Sequence, residues 1–382
     1  MLADDAMSRA SLIRVMSPAG RPKTDLADSI FAVTPQRPAH MPPKKGGTKR
    51  GKGGKKDKGA DVDPTEVVTA FQKHYTRLSR ERGLDALRLG AAEDNGVLSV
   101  EQVFTKVVLH PHMVGPTCEL PHLVTLLDAL AFYKHLRHLC IWQIPLGDDG
   151  CARLGRFLRS SKTVARVELL SCSIGGEGCA LIGAAIQQSP VLSRLALDHN
   201  QIRNAGVNAM RASLESNSVL QSLSLRFCGV TPSGAEQCAR LIATCRLKDL
   251  DLHGNELQAL GAAMCLVALR DNAHITRIGL ACTTWGAEGA VTQALINTME
   301  ANTTCNEYNI DGNPIGDANA LKIAAALRQT AHVTAVVTTD QLTPAVFHEI
   351  AKLADANLKE WLKKHKKKRG KKGGKRGKKG KT

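Results

Sequence analysis

A template recurs along this chain at a nearly fixed interval, and that interval limits the fold more than any other feature of the sequence. With Leu195 as position 0, Leu197 stands at +2, Asn200 at +5, Ile202 at +7 and Gly206 at +11. The same slots are filled by Leu139, Ile141, Ile144, Leu146 and Gly150; by Val167, Leu169, Cys172, Ile174 and Gly178; by Leu223, Leu225, Cys228, Val230 and Gly234; and by Leu250, Leu252, Asn255, Leu257 and Gly261. Two looser copies follow, Ile278, Leu280, Thr283, Trp285 and Gly289, then Tyr308, Ile310, Asn313, Ile315 and Asn319. Successive starts lie 28, 28, 28, 27, 28 and 30 residues apart. Three residues before each stands Leu136, Val164, Leu192, Leu220, Leu247, Ile275 or Cys305. Each copy reads as a short strand whose alternate side chains turn inward, followed by a helix with an apolar stripe such as Ala209, Met210 and Leu214. One unit cannot bury both faces. Stacked units share a continuous core, with a parallel sheet on one side and helices on the other.

The spacing LxxLxLxx(N/C)xL at about 28 residues resembles the leucine-rich repeat, and a unit of this length with a full helix resembles the ribonuclease-inhibitor type. The resemblance covers roughly residues 136–330. It implies an α/β horseshoe solenoid with a parallel concave sheet and convex helices. The small polar residue at +5 is expected to bond the backbone where the strand turns into the loop, with Ile144 and Thr283 departing from that rule. Gly206 and its equivalents are expected to serve the turn into each helix.

A solenoid must be covered at both ends. Val67, Val68, Phe71, Tyr75 and Leu78 at helical spacing, and a second helix within "ELPHLVTLLDALAFYKHLRHL", predict a helical N-terminal cap over 64–135. The solenoid itself occupies 136–332 with about seven repeats. Val333 and Val336 read as a degenerate eighth strand, opening a C-terminal cap over 333–362. Its helix starts with Thr343 as N-cap and Pro344 at the first position, and offers Phe347, Ile350, Leu353, Ala354, Leu358 and Trp361 for packing. The segment "HYTRLSRERGL" ahead of such repeats also resembles the start of leucine-rich-repeat proteins of centrosomes and cilia, which implies a location and no site residues.

The net charge of +17 is misleading until it is located. Lys44–Lys58 holds eight Lys/Arg and one Asp, and Lys363–Lys381 holds thirteen Lys/Arg and no acid, whereas residues 60–362 carry a net −4. These Gly/Lys runs lack apolar groups to offset chain entropy, so residues 1–63 and 363–382 are expected to be disordered. All eleven cysteines fall between Cys118 and Cys305 with no CxxC pair, and their repeat positions explain them better than a disulfide or zinc framework. With no secretory signal and no long apolar run, a reduced intracellular protein is expected; the sequon at Asn302-Thr303-Thr304 is then irrelevant. Asp4, Asp5, Asp25 and Asp28 argue against a transit peptide, and Met41 is the expected start codon.

No catalytic constellation emerges, and no cofactor is expected. The ending "GKRGKKGKT" places Lys375 where a phosphate loop needs glycine, with no helix to follow. His110 with His112, and His135 with His138, lack the helix-borne acid or cysteine partner of a metal site. No serine or cysteine stands in a nucleophile elbow. Activators of the small GTPase Ran use the same type of repeat, but they carry an acidic stretch where this chain is basic.

Residues at −1, +1 and +3 face the concave side. The candidate partner-binding residues there are Trp142, Arg166, Glu168, Arg194, Asp198, Arg226, Asp249, Asp251, His253, Arg277, Glu307 and Asp311. Arg166, Arg194 and Arg226 form a basic ladder, Asp249, Asp251, Glu307 and Asp311 an acidic region, and Trp142 and Arg226 are the expected anchors. Mutual neutralisation of these charges on a solvated face is the competing interpretation. The second candidate surface is the C-terminal run Lys363, Lys364, Lys366, Lys367, Lys368, Arg369, Lys371 and Lys372. Lacking aromatic residues it cannot stack on bases, but it can grip RNA, anionic lipid or the acidic tails of tubulin. The sequence thus favours a non-enzymatic scaffold at a cytoskeletal, ciliary or centrosomal site, with a nuclear or nucleolar RNA-associated protein and a GTPase regulator as alternatives.

Overall fold

A computed structural model describes residues 63–89, 103–111, 118–339 and 341–373 of the 382, with side chains as far as Lys364. The proposed start at Met41, the Lys44–Lys58 run, His112 and Lys375 lie outside the described residues. So do the side chains of Lys366, Lys367, Lys368, Arg369, Lys371 and Lys372.

Helix α1 (Pro64–Glu81) opens with the Asp63 side chain accepting from Thr65 N at 2.9 Å. It is followed by β1 (Lys106–Leu109), α2 (Leu120–Leu130), β2 (His138–Trp142), α3 (Gly147–Ser160), β3 (Arg166–Leu170), α4 (Gly176–Gln188), β4 (Arg194–Ala196) and α5 (Arg203–Leu214). Next come β5 (Ser222–Ser224), α6 (Ala235–Thr244), β6 (Asp249–Asp251), α7 (Gln258–Arg270), β7 (Arg277–Gly279), α8 (Gly289–Ala301), β8 (Glu307–Asn309), α9 (Gly316–Gln329), β9 (Ala335–Val337) and α10 (Pro344–Gly373). The nine strands form one parallel sheet in chain order. Position 0 stays in register throughout, from Val107 beside Leu139 to Tyr308 beside Val336. These inward residues and the helix stripes make a single buried core running the length of the stack.

Strand β1 lies in a segment read as purely helical. Phe104, Val107, Leu109 and Val114 hold the −3, 0, +2 and +7 slots, but His112 at +5 and Cys118 at +11 depart from the template, so the sequence alone gives no repeat there. The aromatic rings of Phe71, Phe104 and Tyr133 join α1 to this strand, with centroids 5.1 Å (Phe71 to Phe104) and 4.0 Å (Phe104 to Tyr133) apart. At the other end α10 begins where expected, with Phe347 N bonded to Thr343 O at 3.0 Å. It does not stop with the cap. It continues through Gly373, into residues expected to lack structure.

The +5 residues alternate in role. Asn200 accepts from Cys172 N and Ile174 N at 2.9 and 3.1 Å and donates to Leu169 O and Leu197 O at 2.7 and 2.8 Å. Asn255 does the same for Cys228 and Val230, and Asn313 serves Thr283. The intervening Cys172 and Cys228 thiols donate to Ile141 O and Leu197 O at 3.2 and 3.3 Å. Each buried asparagine therefore satisfies two neighbouring turns. A second ladder, not anticipated, sits where each helix returns to a strand. Asn217, Asn272 and Asn302 donate to helix-end carbonyls of the preceding repeat and accept from the backbone ahead of the next strand. Asn302 is the sequon asparagine, buried with its amide engaged.

The repeat glycines also need correction. Gly206 lies in the first turn of α5, and a β-carbon there would overlap Ile202 and press on Cys179 of α4. It permits close helix packing and forms no turn. A left-handed residue follows each strand at +4, namely Gln143, Ser171, His199, Phe227, Gly254, Cys282 and Gly312 with φ between 50° and 70°, and the entry to four helices is left-handed at +8, at Gly147, Arg203, Gln258 and Gly316.

Candidate protein-interaction surface

Strand pairing sets the concave side chains in rows across the sheet. The −1 row runs Lys106, His138, Arg166, Arg194, Ser222, Asp249, Arg277, Glu307. Its charge changes from basic to mixed acidic along the stack. Much of that charge is internally engaged. Arg166 Nε donates to Glu168 Oε1 at 2.6 Å, and His138 Nε2 stands 3.1 Å from the other oxygen. Arg226 Nε and Nη2 reach Asp251 Oδ2 at 2.7 and 2.6 Å. Arg277 Nη2 holds Asp249 at 2.7 Å, with Glu307 3.9 Å from its Nε.

Three of the expected contact residues are consequently hidden. Glu168, Asp198 and Asp251 are buried, because short strands 4.8 Å apart let longer neighbours fold over them. Arg226, expected as an anchor, is committed to Asp251. Accessible members are Trp142, half-buried, and Arg166, Arg194, Asp249, His253, Arg277, Glu307 and Asp311. Among the described residues the Arg194 guanidinium has no hydrogen-bond or ion-pair partner, and the Asp311 carboxylate accepts only from Gly312 N at 2.8 Å.

The buried acids are tuned in opposite directions. Burial alone would raise the Glu168 carboxyl, but His138 and Arg166 outweigh it and hold it at about 2. Asp198 sits under the sheet face with Ser224 Oγ and Arg226 N donating to one oxygen at 2.6 and 3.0 Å. Those bonds do not offset desolvation, and its carboxyl is pushed up to about 6. Partial burial also raises the accessible Glu307 against the pull of Arg277.

An exposed aromatic ring beside this face is absent from the residues the sequence singles out. Phe227, at +4, is 44% exposed on a left-handed backbone, an uncommon conformation for a bulky residue. His199 stacks on it with centroids 4.7 Å apart and planes 16° apart, while His253 meets it at 4.9 Å and 62°. Burial lowers both imidazoles, with Arg226 adding to the effect at His199. The ring lies over Gly254, where any β-carbon would overlap it. A second aromatic pair, His110 and Trp142 with centroids 4.5 Å apart, occupies the β1–β2 end of the face. The clue available in sequence was Phe227 itself, the one large apolar residue among the +4 positions. Among the described residues no three His, Cys, Asp or Glu are placed to share a metal ion, and the eleven cysteines are free thiols.

The molecule is a leucine-rich-repeat solenoid, a parallel sheet in chain order backed by helices at a period of about 28 residues. The family model described as Leucine Rich repeat matches residues 216–237. No curated protein matches the sequence. Among solved structures, the chain is similar to the leucine-rich-repeat protein LegL7 of Legionella pneumophila at 13% identity, covering 66% of this chain and 78% of that one with a TM-score of 0.42. It is similar to leiomodin-1 actin-binding site 2 at 14% identity, covering 51% and 96% with a TM-score of 0.36. The tropomodulin C-terminal domain of Caenorhabditis elegans gives 12% identity, 50% and 96% coverage, and a TM-score of 0.33. Among the described residues no helix is long and apolar enough to cross a membrane.

Proposed function

We propose that this protein is a non-catalytic scaffold that docks a protein partner across its concave sheet and holds it near an acidic surface through its Lys/Gly segments. The observation that carries the first half is the Phe227 platform. An exposed aromatic ring, fixed by two histidines and a left-handed backbone, is preorganised and loses little freedom on binding. Arg194 on one side and Asp311 on the other supply unpaired charges of opposite sign, which orient a partner of matching polarity. Nine strands at about 4.8 Å span roughly 38 Å, enough for the ~800 Å² per partner of a standard interface. The anchoring half rests on the thirteen Lys/Arg of Lys363–Lys381.

The cytoskeletal, ciliary or centrosomal address rests on the "HYTRLSRERGL" resemblance. In this fold that segment forms the last turns of α1, where Tyr75 and Ser79 are buried, and the turn after it, where Arg82 bonds Asp128 at 2.6 Å. These residues serve packing of the cap. RNA and tubulin tails remain alternative ligands of the basic run, and GTPase regulation the alternative for the concave face.

The test is site-specific photocrosslinking in cells. A photoreactive amino acid in place of Phe227 is expected to give a discrete adduct, and the same group in place of the convex Leu260 none. Adducts at Leu260 alone would place the docking surface on the helices instead.

A further inference from the structure

We propose that α10 lies on an anionic lipid bilayer, inserting one apolar arc while the following lysines meet lipid phosphates. The inference deepens the reading of the basic run as an anchor and rests on it. Helix α10 is continuous from Pro344 to Gly373. One side is packed: Val346, Ile350 and Ala354 are buried, and Asn357 Nδ2 donates to Leu327 O, Thr330 O and Val333 O at 3.1, 3.3 and 3.0 Å. Beside it runs a second apolar side that docking leaves open. Phe347, Leu358 and Leu362 are 37%, 37% and 44% exposed. At about 100° per residue they fall within roughly 60° of one another. One residue beyond Leu362 the Lys/Arg run begins, with no acid as far as Lys381.

This combination separates the candidate polyanions. RNA or an acidic peptide would engage the cations and leave Leu358 and Leu362 in water. An anionic bilayer takes both: cations sit in the phosphate layer, and Leu and Phe reach the acyl boundary several ångströms below, the arrangement of a basic amphipathic helix lying in the interface. The long lysine stems allow the charge to stay in the headgroups while the helix settles.

The test uses the full chain in vesicle flotation, with phosphatidylcholine alone and phosphatidylcholine mixed with phosphatidylserine, and poly(U) binding as the competing readout. Wild type is expected to float only with the anionic vesicles. Leu358→Ser with Leu362→Ser, neutral changes at exposed sites, is expected to reduce partitioning at least about tenfold while leaving poly(U) binding and the circular dichroism spectrum unchanged. Equal flotation of the double variant would overturn the inference, since charge alone would then suffice. Poly(U) binding without flotation would also overturn it but leave the anchor reading standing; loss of both would remove the two together. A wild-type dimer by light scattering that the double variant converts to monomer, without vesicle binding, would reassign the arc to self-association.

Discussion

Asp198 shows how a single side chain can work against the fold that holds it. Its carboxyl is raised from 3.8 to about 6, chiefly by burial, so the folded state binds its proton more tightly than the unfolded chain. That favours folding in full below about pH 4 and is lost as pH rises through about 6. Asp198→Asn keeps an oxygen for Ser224 Oγ and Arg226 N and removes the charge. It is expected to stabilise the protein by about 1–3 kcal/mol near pH 8, a gain that fades towards pH 3.5, measured by urea unfolding at both pH values. Glu168 has the opposite sign. Its folded value of about 2 lies below the ordinary 4.5, so its contribution is present above pH 4.5 and lost as pH falls through 2. Glu168→Gln is therefore expected to destabilise at neutral pH and to matter less in acid. Neither burial was legible from residue type. Alternation identifies the concave positions, but which of them are covered depends on pairing between strands such as Arg226 of one repeat and Asp251 of the next.

At the scale of the element, the turn after each strand is held by side chains that bridge repeats. Asn255→Leu would strip acceptors from Cys228 N and Val230 N and donors from Leu225 O and Leu252 O, all in the core. Leaving these unpaired is expected to cost at least about 3 kcal/mol. Cys228→Ser retains a donor to Leu197 O and is expected to cost under about 1 kcal/mol, so chemical denaturation of the two variants ranks the two roles. The asparagines at +5 were legible because position and chemistry coincide in Asn200, Asn255 and Asn313. The second ladder was equally visible in principle, as Asn217, Asn272 and Asn302 each stand three residues before the apolar residue that leads into a strand. The glycines misled because residue type alone does not distinguish a left-handed turn from a close approach. Gly206 serves the second purpose, while the turn at +4 falls on His199 and Phe227 in two repeats and on Gly254 and Gly312 in two others.

For the whole molecule, the period of 28 residues carried the architecture: an apolar strand and an apolar helix stripe that recur together can be buried only by stacking. What the period could not carry is recognition, because the residues that repeat are those that pack. Phe227 matters for the opposite reason, as a departure among the +4 residues, and Leu358 and Leu362 belong to no repeat at all. The central claim, that a protein docks over β4–β8 with Phe227 as its anchor, is tested most directly by quantitative affinity capture. Phe227→Asp with Arg194→Glu should be compared with wild type and with Leu260→Asp on α7, at matched thermal stability. The expected result is loss of the captured partner by at least about thirtyfold in the double variant and full retention in Leu260→Asp. Retention in the double variant, with loss in Leu260→Asp, would contradict the account and move recognition to the convex helices.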